Sequence, residues 1–172
     1  MTWIECGPQY LESIRGIFNE AIVNSTALYD YEPRSVARMQ AWWEAKQASH
    51  YPVIAVVNDQ DELMGFASYG PFRAFPAYKY TVEHSVYVSA RFRGQGLGRQ
   101  LLERITLAAE SQGYHAMIGV IDAANATSVA LHERLGFLRC GEMREVGFKF
   151  GRWLDLVIYQ KLLAGPETPK DG

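Results

Sequence analysis

A chain of 172 residues, 48% of them hydrophobic, is long enough for one domain with a sizeable core and short for two. A net charge of −2 provides no basic field for nucleic acid or an anionic lipid surface, so chemistry on small molecules or peptides is favoured. Cys6 and Cys140 make no metal-binding or disulfide pattern, the first ten residues lack a signal-peptide pattern, and no apolar run approaches the roughly 18 residues of a membrane span. A soluble protein of the reducing cytoplasm, without a metal, is expected.

Taken in chain order, Trp3 to Glu5 reads as a short strand. Pro8 then opens a helix whose Leu11, Ile14, Ile17, Phe18, Ala21 and Ile22 recur at helical spacing. A second helix is capped by Ser35 and runs through Met39, Trp42 and Trp43 toward Ser49; the loop between carries Tyr29 and Tyr31. Val53 to Val57 and Leu63 to Tyr69, joined by a polar turn, make a hairpin. An aromatic and basic loop from Pro71 to Lys79 precedes a strand from Thr81 to Val88, a glycine-rich turn, and a helix with Leu101, Leu102, Ile105, Ala108 and Ala109 on one face. With the strand from Ala116 to Ile121 this is a βαβ unit. A helix from Asn125 to Leu135, stopped by Gly136, and strands near 138–146 and 153–162 complete the order β-α-α-β-β-β-α-β-α-β-β. Residues 165–172, rich in breakers, read as a flexible tail after a domain of residues 1–164.

The glycine-rich turn carries the first functional signal. In Arg93-Gly94-Gln95-Gly96-Leu97-Gly98-Arg99 the three glycines admit close backbone approach and positive φ, and the following helix offers unpaired N–H groups to an anion. A dinucleotide fingerprint fails because Arg99 occupies its last glycine position, and the Gly-Lys-Ser/Thr of a P-loop is missing. What remains, R-x-x-G-x-G between a strand and a helix, resembles the coenzyme A pyrophosphate loop of the GNAT superfamily of N-acetyltransferases.

The element order resembles that family too, over nearly the whole chain. It implies a single-domain α/β (α+β) fold whose mixed central sheet, flanked by helices, is splayed between its fourth and fifth strands to admit acetyl-CoA. Residues 81–88, the helix of residues 125–137 and the segment 147–155 further resemble the phosphinothricin and methionine sulfoximine acetyltransferase branch, which includes herbicide-resistance enzymes. The implied reaction is acetyl transfer from acetyl-CoA to the α-amino group of a small amino acid analogue, by direct attack in a ternary complex. Acetylation of protein N-termini or other amines, or a non-catalytic CoA-binding sensor, are the alternatives.

Alternation along Thr81 to Val88 places Glu83, Ser85 and Tyr87 on one face and Val82, His84, Val86 and Val88 on the other. A carboxylate among apolar neighbours in a central strand has its pKa raised by burial, which suits Glu83 to accept the ammonium proton. A salt bridge or an ammonium anchor is the other reading, and the resemblance favours the base. His84 faces away and reads as a hydrogen-bonded core or interface histidine, or as a substrate contact through its backbone.

The resemblance implies that backbone groups of Val86, Tyr87 and Val88 hold the acetyl and pantetheine portion of acetyl-CoA, and that the pyrophosphate rests on residues 93–99. It places a thiol-side acid seven residues after Asn125 of Asn125-x-x-Ser128. That position is His132 here, where many family members carry tyrosine. Packing is its other reading. Asn125 is placed both to cap its helix and to bind the pantetheine amide. For the amino acid substrate, Arg73 offers a planar fork for a carboxylate or phosphinate, with Ala74, Phe75 and Tyr78 as wall and Tyr29, Ser85 and Lys149 completing the pocket; a packed surface loop with snorkelling cations is the other reading of residues 71–80. Similar family members are dimers, so a homodimer is expected.

Overall fold

The computed structural model describes residues 1–171. The strands are β1 (Thr2–Glu5), β2 (Val53–Val57), β3 (Leu63–Pro71), β4 (Thr81–Val88), β5 (Ala116–Asp122), β6 (Leu138–Lys149) and β7 (Arg152–Leu162). The α-helices are α1 (Leu11–Asn24), α2 (Val36–Ala48), α3 (Leu97–Ser111) and α4 (Ala126–Arg134), so the order read from the sequence is the observed one. The strands form a mixed sheet hydrogen-bonded in the order β1-β2-β3-β4-β5-β7-β6. The described residues gather in two compact units, Met1–Tyr69 with Ser85–Ile105, and Gly70–His84 with residues 106–171.

In the first unit β1, β2 and β3 pair antiparallel in sequence order. The predicted stripe of α1 is buried: Ile14, Ile17, Phe18, Ala21 and Ile22 all lie in the interior. Phe18 meets Trp42, Phe66 and Tyr87 edge-on at centroid distances of 5.6, 5.0 and 5.0 Å, the offset geometry that aromatic quadrupoles favour. α2 starts where its cap predicts, with the Ser35 side chain accepting a hydrogen bond from Arg38 N. Gly65 has no side chain for a packing reason: a Cβ there would stand 2.8 Å from the Tyr87 carbonyl oxygen and 3.2 Å from Val88 Cα. β3 and β4 therefore approach closely at this point.

In the second unit β4 runs parallel to β5 over the short register Thr81–Ala116 to Glu83–Ile118, as the expected splay requires. β5 pairs antiparallel with β7, and β7 with β6. The last two strands are longer than the sequence suggests. β6 continues through Gly147 and Phe148 to Lys149, because the cross-strand pair Phe148–Trp153 packs edge-on at 5.1 Å and extends the ladder to Lys149–Arg152. The turn falls at Phe150 (φ 51°) and Gly151 (φ 73°), two consecutive residues with positive φ, as a tight hairpin requires. The tail is in contact with the unit at two places: Gly165 O lies 3.2 Å from His115 Nδ1, and Tyr80 Oη accepts from Lys170 N.

Candidate active site

The glycine loop leads from β4 into α3 within the first unit. Gly94 and Gly96 have φ of 78° and 74°, which disfavours any side chain, and nothing lies within 4 Å of where their Cβ atoms would be. Their backbone is open to a ligand. Gly98 differs from the sequence expectation: it lies inside α3, which begins at Leu97, so its place in the first helical turn and not a left-handed conformation accounts for it. Gly96 O accepts from Gln100 N, which makes it the residue preceding the helix and leaves the first-turn amides of Leu97, Gly98 and Arg99 without intrahelical acceptors. Gln95 stands between the two positive-φ glycines. The basic side chains are partly engaged: Arg93 donates to Glu20 Oε2 at 2.7 Å and to Val88 O at 3.3 Å, and Arg99 pairs with Glu103.

The same unit holds Tyr29, whose hydroxyl is buried. Its loop is clamped by charge. Asp30 accepts from Arg34 and Arg38, the Arg34 guanidinium lies 4.0 Å from the centroid of Phe18, and the Arg34 backbone exchanges hydrogen bonds with the Asn19 side chain. Ser85, Val86, Tyr87 and Val88 follow along β4, all partly exposed.

Glu83 lies in the second unit. Its burial pushes the carboxyl pKa above the ordinary range, and the charge of Arg73 opposes that shift. The expected base thus feels the charge of the expected anion anchor. Arg73 also lies over the Phe72 ring at 5.2 Å, and Phe72 meets Tyr78 edge-on at 5.6 Å, so an aromatic platform orders the loop that contains Ala74 and the exposed Phe75. Lys149, at the end of β6, is buried, with Nζ 5.0 Å from the centroid of the Phe150 ring.

Asn125 caps α4 as expected, its Oδ1 accepting from Ser128 N at 3.0 Å. Ser128 in turn offers its carbonyl to His132 Nδ1 at 2.7 Å, and His132 Nε2 lies 2.9 Å from His84 Nε2. Both ring nitrogens of His132 are therefore engaged. Burial depresses the pKa of both rings; for His84, desolvation first and His132 second push it down to about 3. Phe137 packs edge-on against both imidazoles. A residue that the sequence reading missed makes room for them: a Cβ on Gly119 of β5 would stand 2.7 Å from His84 Nε2 and 2.9 Å from His132 Nε2. The available signal was a lone glycine in the apolar run Met117-Ile118-Gly119-Val120-Ile121. Among the described residues no group of three or more His, Cys, Asp or Glu side chains is arranged to hold a metal ion, and no helix is long and apolar enough to cross a membrane.

A mixed sheet with an open glycine-rich loop between β4 and α3, and a half-buried carboxylate on β4, is the arrangement expected of the acyl-CoA-dependent acyltransferases. The sequence comparison agrees: residues 14–137 match the acetyltransferase (GNAT) family, and the chain belongs to it. It is 44% identical over 156 residues to an L-methionine sulfoximine/L-methionine sulfone acetyltransferase of Pseudomonas paraeruginosa, covering 91% of each chain. It is 32% identical to a phosphinothricin N-acetyltransferase of Alcaligenes faecalis, over 92% of this chain and 80% of that one. Among solved structures, it is similar to a GNAT superfamily phosphinothricin acetyltransferase from Sinorhizobium meliloti in complex with AcCoA, with a TM-score of 0.94, 34% identity and coverage of 99% and 92%.

Proposed function

We propose that this acetyltransferase transfers the acetyl group of acetyl-CoA to the α-amino group of a small amino acid analogue of the methionine sulfoximine, methionine sulfone or phosphinothricin type. The observation that carries the reading is Glu83, a carboxyl made basic by burial, which feels the charge of Arg73, a cation able to bind the polar tail or carboxylate of such a substrate. The names of the relatives described above support the same substrate class.

In this reading the open amides of residues 94–99 receive the pyrophosphate, and Asn125, Ser128 and the backbone of Val86 to Val88 hold the pantetheine arm and acetyl group. The positive end of α3 and the exposed amides suit an anion; the Gly94 and Gly96 conformations keep side chains out of its way. Acetyl-CoA supplies an activated thioester. Glu83 removes a proton from the substrate ammonium, directly or through a water, so that a neutral amine attacks the carbonyl carbon. Backbone N–H groups of β4 stabilise the oxyanion that forms. Phe75, Tyr78 and Lys149 contact the acceptor, with Arg73 as anchor. Direct attack requires no enzyme nucleophile, and Cys6, whose thiol burial pushes up to about 12, is a poor one. A homodimer in the cytoplasm completes the proposal; exposed Val146, Phe148, Phe150 and Trp153 on the β6–β7 hairpin supply its apolar face.

The experiment is CoA release from acetyl-CoA, followed with a thiol reagent, across methionine sulfoximine, methionine sulfone, phosphinothricin, ordinary amino acids, polyamines and short peptides. Turnover concentrated in the first three is the expected result. Turnover of peptides or polyamines alone would discard the substrate class, and CoA binding without any turnover would favour a sensor.

A further inference from the structure

The chain Ser128–His132–His84 has only one consistent direction when both rings are neutral. A carbonyl oxygen can only accept, so the 2.7 Å contact fixes the proton of His132 on Nδ1. His132 Nε2 is then a bare lone pair, and the 2.9 Å contact makes His84 Nε2 the donor. The rings meet end to end, with planes 21° apart and centroids separated by 5.0 Å, which suits an N–H···N hydrogen bond. His84 Nδ1 is left as an acceptor; the residue keeps partial exposure, but this atom is buried and has no hydrogen-bond partner among the described residues. The absence of a side chain at Gly119 and the edge-on packing of Phe137 leave room for this arrangement and hold it in place.

We infer that His84 and His132 act as one tautomer-locked pair, in which His132 is a positioning residue that aims His84 Nδ1 at an N–H donor carried by the bound reactants. This rests on the proposed acetyl transfer and reassigns the thiol-side histidine within it. A neutral pair ordered this way has no proton to give to a departing thiolate; every ring proton is committed to Ser128 O or to His132 Nε2. What it offers is one lone pair, fixed in direction. The matching donors are the amide N–H groups of the acetyl-CoA arm and the amino N–H of the acceptor substrate. An unpartnered buried acceptor of this kind is a cost to the fold unless a ligand satisfies it.

Ring 15N spectra of the full chain labelled at histidine, with the two rings assigned through His84→Gln and His132→Gln, test the pair without any turnover. Near neutral pH the expected spectrum has His132 protonated on Nδ1 and His84 on Nε2; an imidazolium at either, or the opposite tautomers, overturns the proposal. Adding CoA or, separately, methionine sulfone is expected to shift the His84 Nδ1 resonance with one of the two, which identifies the source of the donor. No shift with either overturns the ligand role. In turnover with acetyl-CoA, His132→Gln has an amide oxygen where Nε2 stood, accepts from His84 and cannot titrate; it is expected to keep kcat within about threefold, whereas His132→Ala loses about thirtyfold or more. Equal losses in the two variants would return His132 to the role of acid. If no tested amine is turned over, the proposed activity fails while the tautomer readout still stands or falls on its own.

Discussion

Arg73 and Glu83 sit ten residues apart in sequence, on a loop and on the strand that follows it, and the guanidinium holds down a carboxyl pKa that burial raises. Removing the cation therefore has a signed consequence. In Arg73→Ala the opposing charge is gone, the Glu83 pKa rises further, and the base is fully ionised only at higher pH. The acidic limb of the kcat/KM profile is expected to move to higher pH. In the same variant KM for methionine sulfone should rise about tenfold or more while KM for acetyl-CoA changes little, since a lost charge-assisted bond to the substrate is worth roughly 1.5–3 kcal/mol. Equal changes in both KM values would remove Arg73 as the anchor.

Glu83→Gln tests the base itself. The amide is nearly isosteric but cannot take a proton, so kcat at saturating substrate should fall by about 10²–10⁴. Acetyl-CoA affinity, measured by calorimetry on the variant, should stay near that of the parent. The two readouts separate catalysis from a collapsed site. A fully active variant would exclude Glu83 as the base.

The buried histidines make stability depend on pH. His84 is held at about 3 in the folded chain against an ordinary value of 6.5, and His132 is depressed in the same direction. The unfolded chain thus takes up protons below about pH 6.5 that the folded chain refuses until its own lower values. Their contribution is fully present above the unfolded value and is lost as pH falls toward the folded one. The slope is about 1.4 kcal/mol per pH unit for each proton of difference. Urea midpoints measured from neutral pH downward should drop more steeply for the parent than for His84→Gln, because the carboxylates common to both cancel in the difference. Parallel curves would show that burial does not depress the ring.

Legibility from sequence followed the range of the interactions involved. The α1 stripe and the Ser35 and Asn125 caps depend on residues within one or two turns, and the chain spells them out. Glu83 was legible because a carboxylate between Val82 and Val86 breaks the apolar pattern of a strand. Its partner's electrostatic influence was not. The last strands read as near 138–146 and 153–162, yet pairing of Phe148 with Trp153 carries β6 on to Lys149 and leaves Phe150 and Gly151 in the turn. The histidine pair was hidden most deeply. Period-two alternation turns His84 from Glu83, but that it meets His132 follows from the packing of α4 and the bare backbone at Gly119, which no local pattern encodes.

The β6–β7 hairpin carries the prediction for assembly. Trp153 and Phe150 are 60% and 58% exposed, beside exposed Phe148 and Val146, a concentration of apolar surface unusual for an isolated chain. A charge placed there costs a monomer little and a buried interface a great deal. Trp153→Glu is expected to convert a dimer, measured by light scattering, to a monomer with unchanged helix content. A parent that is already monomeric at micromolar concentration would remove the dimer from the proposal.

The two loop glycines separate conformation from contact. At Gly94 and Gly96 an added Cβ would meet nothing within 4 Å, so Gly→Ala introduces no clash with the protein. It does place an L side chain at φ of 78° or 74°, where the strain is about 1–2 kcal/mol per residue. The chain relieves that strain by turning the loop amides away from their present direction, or bears it and becomes less stable by that amount. If those amides bind the pyrophosphate, Gly94→Ala and Gly96→Ala should each weaken CoA binding by roughly five- to thirtyfold, the same free energy expressed as affinity. Dephosphorylated pantetheine, which lacks the pyrophosphate, should bind parent and variants alike. Equal weakening for both ligands would place the pyrophosphate elsewhere, since the loss would then follow the fold and not the anion.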